Sequence, residues 1–151
     1  MKLVLCVAAA SLSLAASVNA YAALGGTMES VSADQVKLDS KLSSASSGVL
    51  TVHTLQSSGD AAVREYMDQS GKVVAVAWSG PTKPDLAQIL GPTYFARLTN
   101  PNAKRIVGRQ VSVLHDEDLV IESTGSMRRG FIGHAYLTSA INASVTPDQF
   151  K

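Results

Sequence analysis

The chain has almost no cysteine. Its one thiol, Cys6, lies in an N-terminal stretch that reads as a removable leader. A mature protein without it has no disulfide, no thiol nucleophile and no thiolate metal ligand. That excludes disulfide-framework miniproteins, thioredoxin-like oxidoreductases and cysteine-based zinc sites. Aromatic residues are scarce at 5% and include a single Trp. No apolar run long enough to span a bilayer follows the leader. There is also no excess of either charge. Lys2 is the only charged residue among positions 1–22, so setting the leader aside reduces 13 basic side chains to 12, equal to the 12 acidic ones. A neutral chain lacks the basic footprint that nucleic-acid binding needs.

What is present at the N-terminus is the pattern of a secretory leader. Lys2 gives a positive start, Leu3 to Ala16 is uncharged and mostly apolar, and Val18-Asn19-Ala20 and Ala20-Tyr21-Ala22 are small-residue cleavage patterns. Cleavage is expected after Ala22, or alternatively after Ala20. This gives a leader at 1–22 and one exported domain at 23–151, placed in the periplasm or the medium. The lipobox-like Leu3-Val4-Leu5-Cys6 comes too early, with no apolar region ahead of it, to direct lipidation. A chain of this length supports one core.

The clearest local signal is VREYMDQSGKVVAVAW, residues 63–78. Alternation puts Val63, Glu65 and Met67 on one side and Arg64, Tyr66 and Asp68 on the other, a mixed strand with room for one wet face. Val73 to Trp78 is apolar on both sides, as expected of a covered central strand. Gly71 suits the left-handed position of the hairpin between them. Upstream, Ser32-Ala33-Asp34-Gln35 has the form of a capping box, giving a helix over about 30–43. A Ser-rich break at 43–48 then leads into a strand over Val49 to Leu55. Downstream, Thr82 reads as an N-cap, Leu86, Ile89 and Leu90 as an apolar stripe, and Gly91-Pro92 as an interruption before a short second helix. Strands follow at about 109–115, 118–124 and 130–137, and Thr146 to Gln149 opens a final turn of helix. The pattern is α+β: antiparallel sheet with helices packed on a face, in two helix-plus-three-strand halves.

Ala23-Leu24-Gly25-Gly26, VREYMDQSGKVVAVAWSGPTKPDLAQILG and DLVIESTGSMRRGFIGHAYL together resemble a family of small exported proteobacterial proteins, domain of unknown function number 2844. The resemblance covers nearly the whole mature chain. It implies export and a stand-alone domain, but no reaction and no catalytic residues.

The chemistry-bearing residues are few. His115-Asp116-Glu117-Asp118 lacks the alternate ligand spacing of a calcium loop and reads as a solvated hairpin turn. His53 shares a face with Thr51 and Leu55 and reads as a structural histidine. His134, with Glu65 or Asp85 as carboxylate, is the one combination that points to a small hydrolase or metal-assisted enzyme. Arg64, Tyr66, Trp78, Arg128, Arg129 and His134 are the candidate binding residues, provided that the fold brings them together. No metal site and no cofactor is implied. The leading expectation is a non-enzymatic exported domain that binds an envelope or secreted protein. The alternatives are the hydrolase and a carrier of small apolar ligands, and only the carrier requires a void between sheet and helices.

Overall fold

The computed structural model describes residues 24–108 and 110–150. The leader therefore lies outside the described residues. Helix α1 (Met28–Lys37) is followed by β1 (Ser40–Ser47), β2 (Leu50–Ser57), β3 (Ala62–Met67) and β4 (Val73–Gly80). Helix α2 (Leu86–Thr99) is followed by β5 (Arg105–Val107), β6 (Val111–Asp116), β7 (Leu119–Ser126) and β8 (Gly130–Leu137). Two short 3-10 turns, Thr138–Ala140 and Pro147–Phe150, close the described chain. All eight strands form one sheet in the order β1-β2-β3-β4-β8-β7-β6-β5, and every pairing is antiparallel. The fold is thus α+β but dominated by sheet. Each half is a helix plus a four-stranded meander, one strand more than the sequence pattern gave. Among the described residues no helix is long and apolar enough to cross a membrane.

Both strands beyond the expected ones are edges. β1 comes from the stretch read as the end of a helix and a Ser-rich break, and most of its residues are exposed. An edge strand with wet side chains carries little apolar alternation, so its sequence resembles a loop. The other edge, β5, is three residues long and exposed throughout. Gly48, at φ 62, makes the tight link from β1 to β2.

Helix α1 starts earlier than the capping box suggested. Ser32 lies inside it and donates its hydroxyl to the Met28 carbonyl at 3.1 Å. Positions 30, 31 and 34 form its buried stripe. In α2 the cap is Asp85 rather than Thr82, with the carboxylate accepting from the Ala87 and Gln88 amides at 2.9 and 3.3 Å. Gly91, at φ 71 and ψ 168, breaks the helix and Pro92 starts its second half, as the Gly-Pro pair implied.

β4 is buried on both sides from Val73 to Trp78. One apolar cluster joins Val31, Ile89, Leu90 and Leu98 of the helices to Leu55, Val63, Val76, Trp78 and Ile121. A second, on the other side of the strands, joins Tyr66, Ala75, Ala77 and Tyr136 to Val145 and Phe150 of the C-terminal segment. Phe150 meets Tyr66 edge-on at 5.0 Å between ring centroids. β3 is consequently drier than expected: Glu65 is 2% exposed and Tyr66 is 4%, while Arg64 on the side of Tyr66 is half-buried.

Trp78 lies across Gly133, its cross-strand neighbour on β8. A Cβ on Gly133 would come within 2.4 Å of the indole and 2.6 Å of the Glu122 carbonyl oxygen. Gly133→Ala should therefore destabilise the fold by about 1–3 kcal/mol, the usual cost of overpacking, and should move the Trp78 emission. Urea unfolding followed by fluorescence measures both, and an unchanged midpoint would contradict the packing described.

Candidate functional site

Residues on neighbouring antiparallel strands that pair directly share a face. Ser44, His53 and Glu65 are in register across β1, β2 and β3 on the helix-cluster side. Ser44 Oγ and His53 Nδ1 lie 2.8 Å apart. Asp34 of α1, fully buried, accepts a hydrogen bond from the Gln88 side chain of α2 at 3.1 Å. The core side of β3 therefore carries polar groups where alternation would place hydrocarbon.

Burial and then the charge of Asp34 push the Glu65 carboxyl up from 4.5 to about 8, so it is protonated at neutral pH. Burial also lowers the pKa of His53. Three buried atoms in this region have no hydrogen-bond partner among the described residues: Glu65 Oε2, His53 Nε2 and Trp78 Nε1. Such orphans are uncommon, and each marks a place where water or a ligand fits chemically.

Of these three residues, Trp78 lines a cleft of about 220 Å³. Leu38, Leu55, Val63, Trp78 and Ile89 supply apolar wall and floor, and Lys83 and Asp85 stand at its rim. A second hollow, of about 380 Å³, is bounded by the same Lys83–Asp85 segment together with Phe95, Arg105 and Ile121. Small-ligand sites usually measure ~300–1,000 Å³. The first cleft is below that range and the second falls inside it.

The hydrolase combination is not assembled. His134 projects to the C-terminal-cluster side, where its ring stacks on Tyr136 at 5.9 Å and its Nε2 is 3.7 Å from Glu122. Glu65 projects to the opposite side of the sheet, and Asp85 is occupied in capping α2. Glu122 is the residue the sequence reading missed. The signal was available, because folding 118–124 back on 130–137 about the Met127–Arg129 turn places Glu122 opposite His134.

The candidate binding residues divide in the same way. Arg64, Tyr66 and His134 share the C-terminal-cluster side, with Arg64 and His134 flanking Ala77 in one row. Tyr66 is covered there by Phe150. Trp78 faces the helix cluster, away from those three. Arg128 and Arg129 are exposed in the β7–β8 turn. His53 is buried, with its Nδ1 bonded to Ser44. In the acidic run, Arg97 of α2 binds the Asp116 carboxylate at 2.8 Å and that of Asp118 at 2.7 Å, while Glu117 turns the chain at φ 44.

A family model described as Protein of unknown function (DUF2844) matches residues 20–150. No curated protein and no solved structure matches the chain.

The raised pKa of Glu65 fixes a sign. The folded state holds a proton that the unfolded state releases near pH 4.5, so the stabilisation is complete below that pH and is lost as pH rises through about 8. Urea midpoints should fall across this window by the equivalent of a few kcal/mol, at ~1.4 kcal/mol per pKa unit. Glu65→Gln should flatten the dependence, and an equal slope in both proteins would refute the assignment to Glu65.

Proposed function

The chain belongs to the DUF2844 family, and from that starting point we propose that it is an exported, non-enzymatic binding domain whose ligand is a small amphiphile held in the Trp78 cleft. The observation that carries this reading is Trp78 itself. Its side chain is 2% exposed and lines the cleft, and its buried N–H has no acceptor among the described residues. A buried donor left unpaired costs about 1–3 kcal/mol, which a ligand oxygen placed there would recover. The apolar walls suit a hydrocarbon body, and the Lys83 ammonium at the rim suits an anionic head.

The same geometry favours binding over hydrolysis. The imidazole that contacts a carboxylate, His134, has its ring against Tyr136 and Glu122 rather than a cleft. The export part of the proposal is supported by the leader pattern of residues 1–22, and its destination would be the periplasm or the medium. Intact-mass measurement of the protein recovered outside the cytoplasm should give a chain beginning at Ala23. Recovery of the full chain from the cytoplasm alone would refute that part of the reading.

Trp78 is the single tryptophan of the chain, so its emission reports on the cleft directly. Decanoate, added below its micellar concentration, should change that emission saturably, and a decyl-trimethylammonium cation of the same chain length should not. Lys83→Glu should weaken decanoate binding by about threefold to fivefold, the range for an exposed charge contact. Absence of any saturable change with decanoate would sink the amphiphile reading.

A further inference from the structure

β1 carries five serines, Ser40, Ser43, Ser44, Ser46 and Ser47. Across to β2 the register sets Ser40 against Ser57, Ser43 against Thr54, Ser46 against Thr51 and Ser47 against Leu50, but Ser44 against His53. Ser44 is exposed, and its Oγ is 2.8 Å from His53 Nδ1. The next residue in that row, on β3, is Glu65. We propose that Ser44 is a nucleophile that takes an acyl group from an activated ester, with His53 as its general base and Glu65 as the residue that positions the imidazole. This modification site lies outside the Trp78 cleft and does not depend on the ligand assigned there.

β1 is a terminal strand of the sheet, so no further strand covers the outer side of Ser44. Such a strand turns every second backbone amide outward. Whichever phase holds, an outward N–H belongs to Ser44 or to its two neighbours, where it suits the oxyanion of an attacked ester. The base behind the hydroxyl is enclosed: His53 is 5% exposed, and burial lowers its pKa, so the ring is uncharged at neutral pH and free to accept a proton. Accepting at Nδ1 requires the tautomer with hydrogen on Nε2. That Nε2 is buried without a partner among the described residues, and so is Glu65 Oε2. Directly paired residues of antiparallel strands have Cβ atoms about 5 Å apart, so one water or a change of rotamer joins Nε2–H to the carboxyl and holds the tautomer. A carboxyl serves here in either protonation state, because it always keeps an oxygen that accepts.

In the step, Ser44 Oγ attacks the carbonyl carbon of the ester while His53 Nδ1 takes the hydroxyl proton. The adduct collapses, the bond to the alcohol oxygen breaks, and the imidazolium gives its proton to that leaving oxygen. The products are O-acyl-Ser44 and the free alcohol, with His53 neutral again. This is a single transfer and asks for no turnover, so it is compatible with a binding domain.

The probe is p-nitrophenyl acetate, added to the folded protein and stopped with acid, and peptide mapping by tandem mass spectrometry locates each acetyl group. Trypsin cuts after Lys41 and Arg64, leaving Ser43, Ser44 and Ser46 on one fragment, so the neighbouring serines are the internal control. Ser44 should be acetylated at least about tenfold faster than Ser43 and Ser46, below the ~10²–10⁴ that a positioned base contributes. Ser44→Ala, a change at an exposed position, should remove that label and leave the slow labelling of the others. His53→Gln should bring Ser44 down to the rate of its neighbours. Glu65→Leu should lose most of the preference, and Glu65→Gln, which keeps an accepting oxygen, should retain it. Nitrogen-15 NMR of His53 in the unmodified chain does not depend on how any variant folds, and the proposal requires hydrogen on Nε2 and none on Nδ1. Equal rates at Ser44, Ser43 and Ser46 would overturn the proposal, as would hydrogen on Nδ1 or a preference that survives His53→Gln. A preference undiminished in Glu65→Leu would overturn the positioning role of Glu65.

Discussion

β4 is the element on which the rest of the sheet depends, because it is covered on both sides and paired along both edges. It is bonded to β3 in one half and β8 in the other, so the two four-stranded meanders become one sheet only through the β4–β8 pairing. Its side chains divide by role. Val76 and Trp78 anchor the cluster that holds both helices, and Ala75 and Ala77 leave room on the other side for the aromatic group around Phe150. Small residues there are a packing requirement, since larger ones would displace Tyr66 and Tyr136 from their contacts with Phe150.

The covering of β4 also accounts for the unusual chemistry of β3. Glu65 alternates onto the same side as Val63 and is directly opposite Val76, so the helices that shield Val76 shield the carboxyl as well. A protonated acid is the result, with an unshared oxygen and a second carboxyl, Asp34, nearby. Such a group contributes less stability than a hydrocarbon of the same shape would.

Much of this architecture was legible in the sequence wherever one local rule acted alone. The two-sided apolar run fixed β4, Gly71 in its left-handed position fixed the hairpin before it, Gly91-Pro92 fixed the kink in α2, and 130–137 gave β8 its full extent. What escaped notice needed information from other parts of the chain. β1 and β5 look like loops because edges bury little, and Ser32 resembled a cap although the helix had already begun at Met28. Glu65 was read only as a carboxylate partner for His134, because alternation along one strand does not tell whether a carboxyl is sealed from water. In the fold it is 2% exposed, on the same side of β3 as Val63 of the apolar cluster. The candidate site was hardest to read for the same reason: Trp78, Asp34, Gln88 and Leu38 come from four separate segments, and no spacing rule connects them.

The most direct test of the account is native-state amide exchange, resolved by residue, over Val73 to Trp78. The account requires these amides to be among the slowest of the chain and to exchange only through global unfolding, with Ala135 and Tyr136 of β8 following the same rate. Exchange of β4 amides as fast as that of the exposed edge β1 would contradict it, because a middle strand open to solvent could not join the two halves or seal Glu65 from water.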